Sequence, residues 1–127
     1  DCDPYMNTLL WLAQGALAAV FAGAGVMKLF VPKTTLETRP GMGYVTERTA
    51  LEMKLIGFAE VLGSLGLVLP WWRQTLPMLT PMAAAGLVVL MIGATATHLR
   101  RKESMVFTAG LALVALFVAL GRGGLMN

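Results

Sequence analysis

Four apolar runs, separated by short polar stretches, set the plan of the chain. The first extends from about Thr8 to Val31, and Gln14 is its one polar interruption before Lys28. Asn7 or Thr8 is placed to cap it, and Pro32 stops it. The second has its apolar part from about Leu55 to Leu69, roughly 23 Å at 1.5 Å per residue, short of a hydrocarbon core of about 30 Å. Thr49-Ala50-Leu51-Glu52 reads as a capping box, with Thr46 as the alternative cap. This helix is therefore expected to begin early and to carry Glu52, Met53 and Lys54 through the interface. Pro70-Trp71-Trp72-Arg73-Gln74 reads as a tight interfacial turn. The third run extends from about Leu76 to Leu99, with Pro77 in its first turn and Pro81 bending its start. The fourth, from about Met105 to Leu120, has Ser104 as a cap and Gly121-Arg122-Gly123-Gly124 as its end. The pattern predicts an all-α fold, a four-transmembrane-helix bundle.

Spacing then predicts faces. Met53, Gly57, Glu60, Ser64 and Leu67 share one side of the second helix. Gly15, Ala19 and Gly23 lie four apart beside Ala18 and Ala22, a small-residue seam for packing inside the bundle or, alternatively, for a homodimer. Met82, Met91 and Ala83-Ala84-Ala85-Gly86 give the third helix a soft, closely packing wall. The connection from Pro32 to Thr46, with Pro40-Gly41 and Gly41-Met42-Gly43 as turn chemistry, is the longest polar stretch and long enough to serve as a lid or binding loop.

Composition changes the picture by excluding water as the solvent. Of 127 residues, 57% are hydrophobic and 13% charged, against about 25% charged in soluble domains. Too few polar residues exist to cover a soluble domain. The Asp1-Cys2-Asp3-Pro4-Tyr5 stretch breaks the pattern and reads as a tag remnant or disordered N-terminus before Met6, leaving residues 6–127 as one domain. Cys2 is the one cysteine, so CxxC chemistry, an internal disulfide and a thiolate zinc site are excluded. The net charge of +3 reports topology and anionic lipid, and no basic run interleaved with aromatics points to nucleic acid. Lys33, Arg39, Arg48, Arg100, Arg101 and Lys102 fall on one side, against Arg73 and Arg122 on the other. This places the first and third connections in the cytoplasm and both termini outside. Trp11, Trp71 and Trp72 form one aromatic belt on the outer side. The expected location is a multi-pass protein of the bacterial inner membrane.

The candidate chemistry is a small polar set on the cytoplasmic half. Glu60 is the deepest ionisable group, about 12 Å inside its helix start. A charge at that depth costs about 2.5 to 3.5 kcal/mol on translocon scales and marks a functional position by default. Lys28 is placed either to pair with Glu60 or to snorkel to the headgroups, and His98 either to join them or to complement its helix C-terminus. Glu52 reads as interfacial and solvated. No metal site is expected, since one histidine and scattered carboxylates supply no HExxH motif. For haem, His98 lacks a second histidine and Met91 is a weak other ligand. There is no P-loop and no GxGxxG opening a helix.

With Ala22-Gly23-Ala24-Gly25-Val26-Met27-Lys28-Leu29 on the first helix and Ile56-Gly57-Phe58-Ala59-Glu60-Val61-Leu62-Gly63 on the second, the chain resembles the DoxX-like family of small four-helix membrane proteins. Leu67-Val68-Leu69-Pro70, Gly86, Gly93-Ala94 and His98 extend the resemblance, which covers about Met6 to Arg122. It implies membrane subunits of quinone-linked oxidoreductases, such as thiosulfate:quinone systems, or partners of redox-stress and thiol-handling enzymes. The cysteine-dependent branch is not matched. Lys28, Glu60 and His98 fall at the family's polar positions and carry over as the expected catalytic set.

The favoured reading is a redox-linked membrane protein that binds a small apolar ligand, a quinone among the candidates, in a pocket lined by Lys28, Glu60 and His98. Glu60 would anchor the ligand or carry its proton, Lys28 would hold the charge, and His98 would relay protons at the mouth. Two other readings stay open: a non-catalytic subunit or assembly factor of an oxidoreductase, docked through the loop from Lys33 to Thr46, and a small transporter. Expected partners are membrane lipid, the apolar ligand and a partner enzyme subunit.

Overall fold

The computed structural model describes residues 4–124. It is all-helical over those residues: α1 (Pro4–Phe30), a short α2 (Lys33–Leu36), a 3-10 turn (Gly43–Glu47), α3 (Ala50–Arg73), α4 (Leu79–Arg100) and α5 (Val106–Arg122). Residues 1–3 of the N-terminal prefix lie outside the described residues. α1, α3 and α4 are each long and apolar enough to cross a membrane. α5 is apolar but has 17 residues, about 26 Å, and falls short of that length. The long helices form a ring in which α1 packs most extensively on α3 and α4 on α5, while α1 and α5 touch least. Leu17 and Phe21 from α1, Leu67 from α3, Leu87 and Met91 from α4, and Ala115 and Val118 from α5 meet in one core.

Several helix boundaries differ from the sequence expectation, each for a local reason. α1 starts at Pro4, not at Thr8. Proline suits the first turn because its missing N–H would have no partner there, and the Thr8 hydroxyl donates back to the Pro4 carbonyl at 2.9 Å instead of capping. The α3 start is as expected: Thr49 Oγ1 accepts from Glu52 N at 3.0 Å, and Glu52 Oε1 accepts from Thr49 N at 2.9 Å. Thr46 takes no part, its hydroxyl donating to the Gly43 carbonyl at 2.9 Å.

Pro70 does not end α3, which runs on to Arg73 and closes with Gln74 in the left-handed region at φ 52°. A proline inside a helix strips the carbonyl four residues earlier of its donor. That carbonyl is Gly66, and the Thr80 hydroxyl of α4 donates to it at 2.8 Å. The next carbonyl, Leu67, accepts from Gln14 Nε2 of α1 at 2.6 Å. α4 begins at Leu79, so Pro77 precedes it and Pro81 lies within its first turn, where no N–H is needed. At α5 the capping position is Met105, and Ser104 Oγ makes only a long 3.5 Å contact with Val106 N.

The faces of α3 follow the spacing: its buried residues are Met53, Gly57, Glu60, Ser64 and Leu67. The small-residue seam of α1 does not pack inside the bundle. Gly15, Ala19 and Gly23 are exposed on the outside of the bundle, and a Cβ on either glycine would meet nothing. The close crossing is made instead by Gly25 and Gly57. A Cβ at Gly25 would lie 2.6 Å from the Gly57 carbonyl, and one at Gly57 would lie 2.7 Å from that of Gly25. On α4, Ala84 and Met91 face inward, while Met82, Ala85 and Gly86 face out. Gly25→Ala is expected to push α1 off α3 and to cost about 1–3 kcal/mol, the usual range for overpacking. Gly23→Ala is the control. Thermal denaturation in detergent should show a lower midpoint for Gly25→Ala and an unchanged or higher one for Gly23→Ala, where alanine is the better helix former and meets nothing.

The two ends of the bundle differ in character. The connection after α1 is folded, not loose: Leu36 and Val45 are buried with Met53, and Met27, Met42, Tyr44 and Ile56 pack around them. With the α4–α5 loop it makes a basic end. Trp11, Trp71 and Trp72 lie at the opposite end.

Candidate functional site

Glu60 projects from the buried face of α3 and is 2% exposed. Lys28, one turn beyond Gly25 on α1, donates from Nζ to Glu60 Oε1 at 2.7 Å. The glycine crossing makes this reach short, since a Cβ at Gly57 would sit 2.9 Å from Lys28 Cβ. Lys28 therefore pairs and does not snorkel to the headgroups. The adjacent Ser64 hydroxyl donates to the Glu60 backbone carbonyl at 2.9 Å.

The ion pair faces a cavity of about 350 Å³ at the basic end of the core. Phe21 and Met91 separate the cavity from the packed core, and His98 joins its lining from the last turn of α4. Lys28, Glu60 and His98, on three helices, thus share one cavity. Pro40, Gly41 and Met42 of the folded connection line its loop side, with Tyr44 and Arg48. The volume lies within the range of small-molecule pockets, roughly 300–1,000 Å³, and the lining is mostly apolar. The buried pair offers a bound molecule an ammonium donor beside a carboxylate acceptor.

His98 does more than complement a helix end. Its Nδ1 lies 2.8 Å from Glu103 Oε1, so the carboxylate accepts and Nδ1 carries the proton. Tyr44 meets the imidazole edge-on at 5.8 Å between ring centres. The pair belongs to a surface network: Arg101 Nε donates to Glu103 Oε2 at 3.2 Å, Arg100 Nη2 donates to Glu47 Oε1 at 2.6 Å, and Arg101 Nη1 bonds Glu47 Oε2. The network fastens the 3-10 turn to the end of α4. Glu52 is exposed, as expected.

Two carboxylates of this fastening sit below their ordinary value of 4.5: Glu47 through hydrogen bonds from Arg100 and Arg101, and Glu103 through those from His98 and Arg101. A depressed carboxylate contributes stability that is complete above its unfolded value and lost as pH falls through its folded value. Protection of the amides across residues 43–49, relative to their intrinsic exchange rates, should therefore hold from neutral pH down to about 5 and fall on acidification below about 4. Loss of protection between pH 7 and 5 would contradict this.

A second buried polar cluster lies at the tryptophan end, where the sequence suggested only a loop charge. Arg122 is 5% exposed. Its Nε donates to Gln14 Oε1 at 2.6 Å and its Nη1 to Asn7 Oδ1 at 2.9 Å. Its guanidinium lies 4.6 Å from the Trp71 ring centre and 5.5 Å from that of Trp11. Gln14 thus bridges α5 to the Leu67 carbonyl of α3. An amide isolated in an apolar run was the available signal, because a buried glutamine needs partners for both ends of its amide.

Among the described residues no three His, Cys, Asp or Glu side chains group as a metal site. An apolar helical bundle with helices long enough to cross a bilayer and an internal ion pair facing a cavity fits an integral membrane protein. The chain belongs to the DoxX-like family, whose profile matches residues 12–120. No curated protein and no solved structure matches it.

Proposed function

We propose that this protein binds a small lipid-soluble molecule with a compact polar head, a quinone being the best fit, in the cavity lined by Lys28, Glu60 and His98. The observation that carries this reading is the convergence of those three side chains, from three helices, on one mostly apolar cavity. A flat head with two carbonyl or hydroxyl oxygens matches an adjacent donor and acceptor. Glu60 anchors the head and is the group able to take up or release its proton, Lys28 holds the Glu60 charge, and His98 links the cavity to the charged loops. The protein then serves a redox-linked membrane process, as binder or membrane subunit. In this reading α5 is the fourth span, accommodated by local thinning of the bilayer or by its neighbours. The basic end faces the cytoplasm by the distribution of Lys and Arg, in a bacterial inner membrane.

The test is equilibrium binding of a short-chain benzoquinone to purified protein in mild detergent. Saturable one-to-one binding is expected, weakened at least tenfold in Glu60→Gln. The double variant Lys28→Met/Glu60→Leu, which leaves no unpaired charge, should lose binding while remaining monodisperse. Equal binding by all three proteins would remove the assignment.

A further inference from the structure

We infer that the cavity opens sideways into the lipid between α1 and α5, and that its ligand is an amphiphile whose apolar tail lies in that gap. The inference rests on the ligand-pocket reading for what is bound, but the opening itself is a feature of the helix packing. α1 and α5 touch least of the neighbouring helix pairs. Their polar contacts are at the tryptophan end, where Arg122 reaches Gln14 and Asn7. A Cβ on the nearby Gly121 would strike Leu10 at 2.5 Å, so the helices are also close there. Toward the basic end the two helices line the cavity: Val20 and Ala24 from α1, Phe107 and Leu111 from α5.

All four residues are apolar, and two are open to the outside: Val20 is 36% exposed and Phe107 68% exposed. Val20 lies ten residues before the end of α1 at Phe30, about 15 Å along the helix. At that depth in a membrane-spanning helix the exterior is hydrocarbon. An apolar rim is at no disadvantage against acyl chains, whereas the polar lining residues Tyr44, Arg48 and His98 lie toward the loops. A cavity of about 350 Å³ holds a ring-sized head but not a long chain as well. A tail attached to a head at Glu60 therefore leaves through the gap.

The test needs no ligand. In a Cys2→Ser background, Met91→Cys places a thiol at a buried cavity-lining position on α4. The protein is reconstituted in phosphatidylcholine vesicles and treated with N-dodecylmaleimide, which partitions into the bilayer, or with a charged sulfonated maleimide. The lipid-borne reagent should label position 91. Val20→Trp on one side of the gap, or Leu111→Trp on the other, should slow that labelling at least tenfold and leave the charged reagent's rate unchanged. No labelling by the lipid-borne reagent, an unchanged rate in both plugged variants, or equal slowing of both reagents would overturn the lateral opening. Gap-dependent labelling in a protein that fails to bind quinone would keep the opening and remove only the quinone assignment.

Discussion

Lys28→Met alone, or Glu60→Leu alone, should destabilise the protein by about 3–5 kcal/mol, and the double variant should recover most of that loss. The ion pair is buried on both sides, at 2.7 Å, inside a membrane-spanning bundle. Removing one partner leaves an uncompensated charge where neither water nor headgroups compensate it. Removing both replaces a costly pair with apolar packing, which is often neutral in stability. A double-mutant cycle measured by unfolding in mixed micelles reads the coupling directly. If each single variant is as stable as the wild type, the pair is hydrated and the site is not buried as described. Recovery of stability without recovery of quinone binding in the double variant would separate the pair's functional role from its structural one.

Arg122→Leu should be nearly as damaging, at about 3 kcal/mol or more. Two hydrogen bonds from a charged donor contribute about 1.5–3 kcal/mol each, and the stacked indoles add a cation–π component of about 0.5–2 kcal/mol. The substitution would also leave the oxygens of Gln14 and Asn7 without their guanidinium donor. Arg122→Lys should not restore stability, because a point ammonium does not reproduce a planar fork reaching two helix positions while lying against Trp11 and Trp71. Unfolding in mixed micelles, with tryptophan emission as a second readout, checks both variants. A wild-type midpoint for Arg122→Lys would show that charge alone, not geometry, holds this end together.

What the sequence made legible was local. The three- and four-residue spacing of Met53, Gly57, Glu60, Ser64 and Leu67 specified the buried side of α3, because helical periodicity alone decides which residues share a face. The α3 capping box was equally local. Partnership between helices was not legible. The choice between pairing and snorkelling for Lys28 depended on how closely α1 approaches α3, which Gly25 and Gly57 set. The regular spacing of Gly15, Ala19 and Gly23 did not mark the side of α1 that packs inside the bundle, since small residues at helical spacing also occur on outward-facing surfaces. Pro70 read as a stop because its rescue, a Thr80 hydroxyl on the Gly66 carbonyl, comes from another helix. Arg122 read as a loop charge because its glycine-rich neighbours masked a side chain that turns inward to a glutamine far away in sequence.

Native mass spectrometry of the wild type and Glu60→Gln, released from mild detergent, tests most directly whether this cavity holds a lipid-soluble ligand. The account predicts one molecule of a discrete apolar compound per wild-type chain, identified as a quinone by extraction and absorbance and lost from the variant. A wild-type chain carrying only bulk phospholipid, with added quinone leaving its mass unchanged, would contradict it.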